Sequence, residues 1–357
     1  VTRTTVKIGD RQVGEDAPCF ITYEAGPTHS GLASAKQLVR HASEAGADAV
    51  KFQIVDPDRL VADRKLPFSY DVLVDAASGR TETVTEPLYD ILCRRTLKES
   101  EWRELKAYSD SLGLAFFCTA LFDDEIDFLA SLGCQSIKIA SADLNHFPLL
   151  RKVARTGLNI QLDTGNGSLG EMEAAVDIIH HEGNENIIIH HCPSGYPARL
   201  QSINLRVITT LRQMFPYPIA YSDHTPGWDM DIAAVTLGAS LVEKTITLDR
   251  ATRSVEHIMS LEPAKMAEFI KAIRDLETAL GSPRRVMHAE EIRKRQANRR
   301  SMYLKAAAKA GTPLSDVAID FRRPGFGLGP EMFDTLAGQT LKTDLPAGHL
   351  LALSDLR

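Results

Sequence analysis

The sequence predicts an α/β chain, a closed (β/α)8 barrel followed by a small β-rich module. Three observations carry this prediction. Eight short, near-continuously apolar runs alternate with longer stretches of helical period, the pattern of parallel strands joined by crossover helices. Gly46, Gly113, Gly133, Gly157, Gly183, Gly238 and Gly281 each stand just past a helical stretch, where a left-handed cap favours a residue without Cβ. After Gly281 the alternation stops and short strand-like runs with frequent Pro and Gly take over.

Taken in order, the strand runs are 21–24, 49–53, 115–118, 136–140, 159–162, 187–191, 218–221 and 241–244. Each is apolar on both alternating faces, as a strand buried between barrel interior and helices should be. The helical stretches are 32–45, 99–112, 123–131, 148–155, 169–182, 203–214, 229–237 and 264–280. One connection is unlike the rest. Segment 54–87 carries Pro57, Pro67, Gly79 and Pro87 with no sustained period, and loops of that length are commonly functional. It is expected either to cover the site as a lid or to pack against a second subunit. The barrel is thus assigned to 1–283, a basic linker (Arg284, Arg285, Arg293, Lys294, Arg295) to 284–298, and the β-rich module to 299–357.

Composition excludes several classes. The 357 residues are 44% hydrophobic and 25% charged, with a formal net charge of -6, so nothing in the balance attracts nucleic acid or an acidic membrane surface. No apolar run is long enough to span a bilayer, and the first ten residues lack the succession of a signal peptide. The reading is therefore a cytoplasmic protein. Its five cysteines are widely spaced without a C-x-x-C, which suggests neither a disulfide framework nor a zinc knuckle.

In a (β/α)8 barrel the active site lies where the C-terminal strand ends and their loops converge. The predicted strands deliver Glu24; Lys51 and Gln53; Thr119; Lys138 and Ser141; Asp163; His190, His191 and Cys192; Ser222, Asp223 and His224; and Glu243 and Lys244 to that rim. Lys51 and Lys138 sit inside apolar strands, where an unpaired ammonium is costly. Aimed inward beside the hydroxyls of Thr119, Ser141 and Ser222, they are suited to a phosphate or carboxylate. Purely structural neutralisation by Glu24 or Glu243 is the competing explanation. Glu24 enters a glycine-bearing loop, where a carboxylate serves as base or orients a hydroxyl. His224 is the candidate metal ligand or acid–base group. Consecutive strand residues face opposite ways, so at most one side of the 190–192 run looks inward. Asp249, Glu256 and His257 follow the last strand, and Gly165-Asn166-Gly167 is a weak candidate anion turn.

Val50-Lys51-Phe52-Gln53, Ile137-Lys138-Ile139-Ala140-Ser141, Asp163-Thr164-Gly165, His191-Cys192-Pro193-Ser194-Gly195-Tyr196-Pro197, Ser222-Asp223-His224 and Glu243-Lys244 together resemble the sialic acid (N-acetylneuraminate) synthase family. Asn204-Leu205-Arg206 and Ser260-Leu261-Glu262-Pro263 belong to the same likeness. In the tail, Arg299-Arg300-Ser301-Met302-Tyr303 and Arg322-Arg323-Pro324-Gly325-Phe326-Gly327 resemble its antifreeze-like SAF (β-clip) domain. The resemblance implies a TIM-barrel transferase that condenses phosphoenolpyruvate (PEP) with an open-chain aminosugar aldehyde to a nonulosonic acid, releasing phosphate. It implies that Lys51, Gln53, Thr119, Lys138, Ser141, Ser194 and Ser222 line the PEP site. Glu24, Tyr196, Glu243 and Glu256 would lie nearer the sugar, with Glu24, Lys51, Lys138 and Glu243 catalytic. It further implies a divalent cation, Mn or Mg, at His224, and a domain-swapped homodimer in which Arg323 reaches the other subunit's sugar.

The chain departs from that pattern on one rim. Thr245 stands where the family has a second metal-binding histidine, Glu256 where it has Asp, Asp163 where it has Ser, and Thr28 where it has Asn.

Overall fold

The computed structural model describes residues 3–75 and 78–357. The chain divides into two compact units, Val1–Gly281 and Ser282–Arg357. The first begins with an antiparallel pair, β1 (Val6–Ile8) and β2 (Arg11–Val13). Next come β3 (Phe20–Glu24) and β4 (Ala49–Gln53), then a second antiparallel pair, β5 (Pro67–Asp75) and β6 (Arg80–Pro87). The remaining strands of the unit are β7 (Ala115–Thr119), β8 (Ser136–Ile139), β9 (Asn159–Asp163), β10 (Ile187–His191), β11 (Ile219–Asp223) and β12 (Leu241–Thr245).

Eight of these close a barrel in the order β3-β4-β7-β8-β9-β10-β11-β12, with β12 paired back onto β3. All eight pairings are parallel. The period-2 alternation of strands sorts their side chains into two shells. Ile21, Tyr23, Val50, Phe52, Phe116, Ile137, Ile160, Leu162, Ile189, Tyr221 and Val242 face the helices and form the main core. Phe20, Ala49, Ala115, Phe117, Ile188, Ala220 and Leu241 face inward at the N-terminal end, where Val6, Ile8 and Val13 of the β1–β2 pair pack on them. The alanines give room to the two phenylalanines, and this apolar plug closes the barrel floor. The next inward layers are polar, and they are the site.

The strands match the expected runs to within two residues at their ends, which is ordinary scatter of such boundaries. Three differences have physical causes. The stretch 203–214 is two helices, Leu200–Ile203 and Val207–Met214, because Asn204 between them is left-handed at φ 49°. The β1–β2 pair was not expected, its strands being three residues each and too short to show a period. Segment 54–87 is no structureless loop. It holds a helical turn (Pro57–Leu60) and the β5–β6 hairpin, whose second strand is mostly exposed and so lacks an apolar alternation.

In the second unit, helix Ala289–Asn298 precedes β13 (Ser301–Leu304) and β14 (Ile319–Arg322), which pair antiparallel. Met302, Leu304, Leu314, Leu341 and Leu351 form its own core. Among the described residues no helix is long and apolar enough to cross a membrane.

Candidate active site at the barrel mouth

The inward residues of the barrel's upper half build a polar column. Asn159 accepts from Ser136 at 2.6 Å, Gln161 donates to Ser136 at 3.0 Å, and His190 meets Gln161 and Ser222, each at 2.9 Å. His190 thus points inward, while His191 points out and donates to the carbonyl of Ile203. Burial, reinforced by Lys138, pushes the His190 imidazole well below its usual range, so it is a neutral link in the column.

Above it lies the lysine–carboxylate layer. The Lys138 ammonium contacts Ser222 Oγ at 3.0 Å, Glu243 Oε1 at 2.7 Å and Asp163 Oδ1 at 3.0 Å. Three donors meet three acceptors, which exhausts an ammonium. Lys51 pairs with Glu24 and lies 3.8 Å from Glu243. The register explains these neighbours, since Glu24 stands beside Lys51 and Ser222 beside Glu243 on adjacent strands. Burial opposes charge on Glu243, but Lys138 and Lys51 outweigh it and hold the carboxyl down to about 2. For both lysines the penalty of burial is likewise outweighed by the acids, and both ammonium groups are held above their usual range. Burial dominates at Asp163 and pushes that carboxyl up, despite Lys138.

A cavity of about 360 Å³ opens over this layer. Glu24, Lys51, Gln53, Thr119, Ser141, Tyr196, His224, Glu243 and Glu256 line it, as does Asp163. Lys138 and Ser222 lie beneath, buried. Ser194 is exposed and donates to Asn166 at 2.8 Å, and Asn166 itself lines the cavity. Arg323 belongs to the second unit, where it is exposed just past β14. The neutralisation foreseen from the sequence is real for both lysines, yet the cavity over them is open, and only Lys51 faces it. Two glycines allow the close packing here. A Cβ at Gly26 would stand 2.7 Å from the Gln53 amide nitrogen and 2.8 Å from Glu24 Oε1, and one at Gly165 would collide with the Cys192 carbonyl and Ser141.

Leu60, Phe68, Leu88, Ile91, Leu92 and Val255 give the cavity an apolar wall, and five of these come from segment 54–87 or the short helix after it. Also on the lining is Arg95, whose Nε and Nη1 have no hydrogen-bond partner although the residue is buried. Nothing in the sequence singled it out, because an Arg-Arg pair after a helix reads as surface.

A metal at this mouth would have to draw its ligands from these residues. His224 donates Nδ1–H to the Pro193 carbonyl at 3.0 Å, which leaves Nε2 free. Its ring lies 4.7 Å from that of Tyr196. Glu256 is the acid whose carboxyl feels His224, though burial is the larger effect and raises it. Thr245 offers a neutral hydroxyl, a poor ligand, and among the described residues no three His, Cys, Asp or Glu groups gather to hold an ion. The residues present do not make a protein-held metal site.

One further lysine is structural. Lys244 faces outward, paired with Asp223 and 3.6 Å from Asp231. A larger depression of about 500 Å³ lies at the opposite end of the barrel, around Glu15, Arg212 and Ser240. It sits where (β/α)8 barrels keep stabilising rather than catalytic groups.

Comparison with known proteins agrees with this geometry. The chain is 35% identical over 348 residues to the N,N'-diacetyllegionaminic acid synthase of Legionella pneumophila, covering 96% of each. It is 32% identical over 335 residues to the N-acetylneuraminate-9-phosphate synthase of Mus musculus, covering 92% of this chain and 90% of that one. The crystal structure of an N-acetylneuraminic acid synthetase from Leptospira borgpetersenii in complex with citrate superposes with a TM-score of 0.71 at 28% identity, over 82% of this chain and 95% of that one. With the NeuB family matched across residues 38–285, and with relatives of this identity along nearly its whole length, the chain belongs to the NeuB family of sialic acid-type synthases.

Proposed function

We propose that the chain joins PEP to an open-chain, N-acylated aminosugar aldehyde, forming a nonulosonic 2-keto-3-deoxy acid and phosphate. The observation that carries this reading is Lys51, a buried ammonium at the cavity wall whose hydrogen bond to Glu24 leaves donors free for a ligand. The relatives' names, a legionaminic acid synthase and an N-acetylneuraminate-9-phosphate synthase, fit the same product class.

In this reading C3 of PEP forms the new bond to the aldehyde carbon, and the aldehyde oxygen takes up a proton. Water then adds at C2 and loses a proton, the bond between C2 and the phosphate oxygen breaks, and the remaining C2 hydroxyl proton passes to the leaving phosphate as the ketone forms. Lys51 holds the anionic donor, with Gln53, Thr119 and Ser141 as neutral partners around it. Glu256, whose carboxyl burial raises, is suited to deliver the proton to the new hydroxyl. Glu24, held by Lys51, Gln53 and the Gly26 amide, orients the attacking water. Lys138 and Ser222 act from below, setting Glu243 and Asp163. Tyr196 borders the sugar, and Arg323 reaches it from a second subunit.

Asp163 favours one second reading, in which the same barrel makes a carbon–carbon bond with a donor other than PEP. The carboxylate occupies a lysine donor that a phosphate would otherwise take. One experiment separates the two. PEP, and in parallel a phosphate-free donor such as pyruvate, is offered with a panel of N-acyl hexosamines and pentoses, and phosphate and product mass are read. Aldehyde-dependent phosphate release supports the first reading. Product formed from another enol donor without phosphate supports the second, and no product from any donor removes both.

A further inference from the structure

We propose that Arg95 is the acceptor-recognition residue, binding an oxyanion, a carboxylate or a phosphate ester, carried by the aldehyde substrate. The identity of the ligand as an acceptor rests on the condensation reading above; the oxyanion site itself does not.

Five basic side chains are buried in the described chain: Lys51, Arg95, Lys106, Lys138 and Lys244. Four of them are met by acids. Lys51 is met by Glu24, Lys106 by Asp110 at 2.6 Å, Lys138 by Glu243 and Asp163, and Lys244 by Asp223. Arg95 pairs with no carboxylate among the described residues, and two of its nitrogens find no acceptor at all. A guanidinium does not escape by losing its proton, so its burial without a partner is a standing cost. The protein compensates every other buried cation with an acid. The missing acid at Arg95 is then one that arrives with a ligand.

Its surroundings agree. Arg95 lines the same cavity as Lys51, on the side of the apolar wall, where a low local dielectric strengthens a charge-assisted bond. Burial is the largest influence on it and the charges of Glu256 and Glu24 come next; Glu256 is the acid assigned to the acceptor's new hydroxyl, and neither acid pairs with Arg95. Within reach of the Arg95 charge, though not on the cavity lining, His29 has an orphan donor of its own. Its Nδ1 accepts from the Gly31 amide at 3.3 Å, so the neutral ring carries its hydrogen on Nε2, which is buried without a partner. Burial, with the charge of Arg95 second, holds that ring down to about 4, and it stays a neutral donor at physiological pH. A hydroxyl-only acceptor would satisfy the Arg95 donors and leave the charge without a counter-ion in contact. An acceptor bearing an oxyanion satisfies both.

The test is calorimetric titration of the full chain without PEP, so that no turnover contributes heat, using three probes: N-acetylmannosamine, its 6-phosphate, and the corresponding uronate; phosphate release from PEP is read in a separate assay. The wild type is expected to bind one charged probe about tenfold or more tighter than the neutral sugar. Which probe wins decides between phosphate and carboxylate. Arg95→Met is expected to bring the two affinities level, and Arg95→Lys to keep part of the preference. Because Arg95→Met removes an uncompensated charge, its melting temperature should not fall, whereas a structural arginine would lower it. Equal or tighter binding of the neutral sugar by the wild type, no measurable binding of either charged probe, or a preference that survives Arg95→Met would overturn the proposal. A charged probe that binds through Arg95 but releases no phosphate from PEP would leave it standing and remove the condensation reading.

Discussion

Lys138 has three N–H donors, and Ser222, Glu243 and Asp163 take them all. An anion can recruit this lysine only if one partner lets go, and Asp163, pushed up by burial, is the one that gains a proton most readily. The sign follows. A protonated Asp163 removes a negative charge from the donor site, so PEP binds best below its raised pKa and more weakly as pH rises through it. Asp163→Ser should lower the KM for PEP by about tenfold near neutrality and flatten that pH dependence; initial rates across a pH series check it. Lys244 is the contrasting case, locked on Asp223 outside the barrel. Lys244→Met should cost about 3–5 kcal/mol of stability, read by denaturant titration, because it strands buried carboxylates far from the cavity. From sequence the two lysines looked alike apart from strand parity, and parity proved decisive. Arg95 was illegible because its meaning lies in what fails to contact it.

At the scale of elements, the eight barrel strands were legible because burial on both faces makes each an unbroken apolar run, and the pleat then decides which side chains reach the interior. The β5–β6 hairpin was not legible, since β6 is polar but for a half-buried Val84, and the inward side chains of β5, Phe68, Tyr70 and Val72, meet only a small cluster with Ile91 and Val255. Yet this hairpin carries Phe68 to the cavity wall. Phe68→Asp should raise the KM for the acceptor severalfold with little change for PEP, which separate substrate titrations would reveal. The turn after β3 is equally exacting. Gly26→Ala would press a Cβ on Gln53 and Glu24 at 2.7–2.8 Å. We expect about a tenfold or greater loss of kcat from the displaced carboxylate, with the circular dichroism spectrum unchanged.

At the scale of the whole molecule, each unit has its own core, and the proposal that Arg323 acts on a second subunit's barrel is open to complementation. Lys51→Ala and Arg323→Ala chains should each be nearly inactive alone. If they exchange freely, half the dimers are mixed and each holds one intact site, so mixing should restore about a quarter of wild-type activity; no recovery would assign Arg323 to its own chain or to no role. Such an arrangement lies beyond any pattern of periodicity, because it concerns contacts a single chain does not contain. On this reading Lys51 at the barrel mouth grips the enol donor. Titration of PEP into the wild-type protein and into Lys51→Gln tests it most directly, with circular dichroism confirming that the variant is folded. We predict saturable, one-to-one binding by the wild type and a loss of about a hundredfold in affinity in the variant; undiminished binding by Lys51→Gln, or no binding by the wild type, would contradict it.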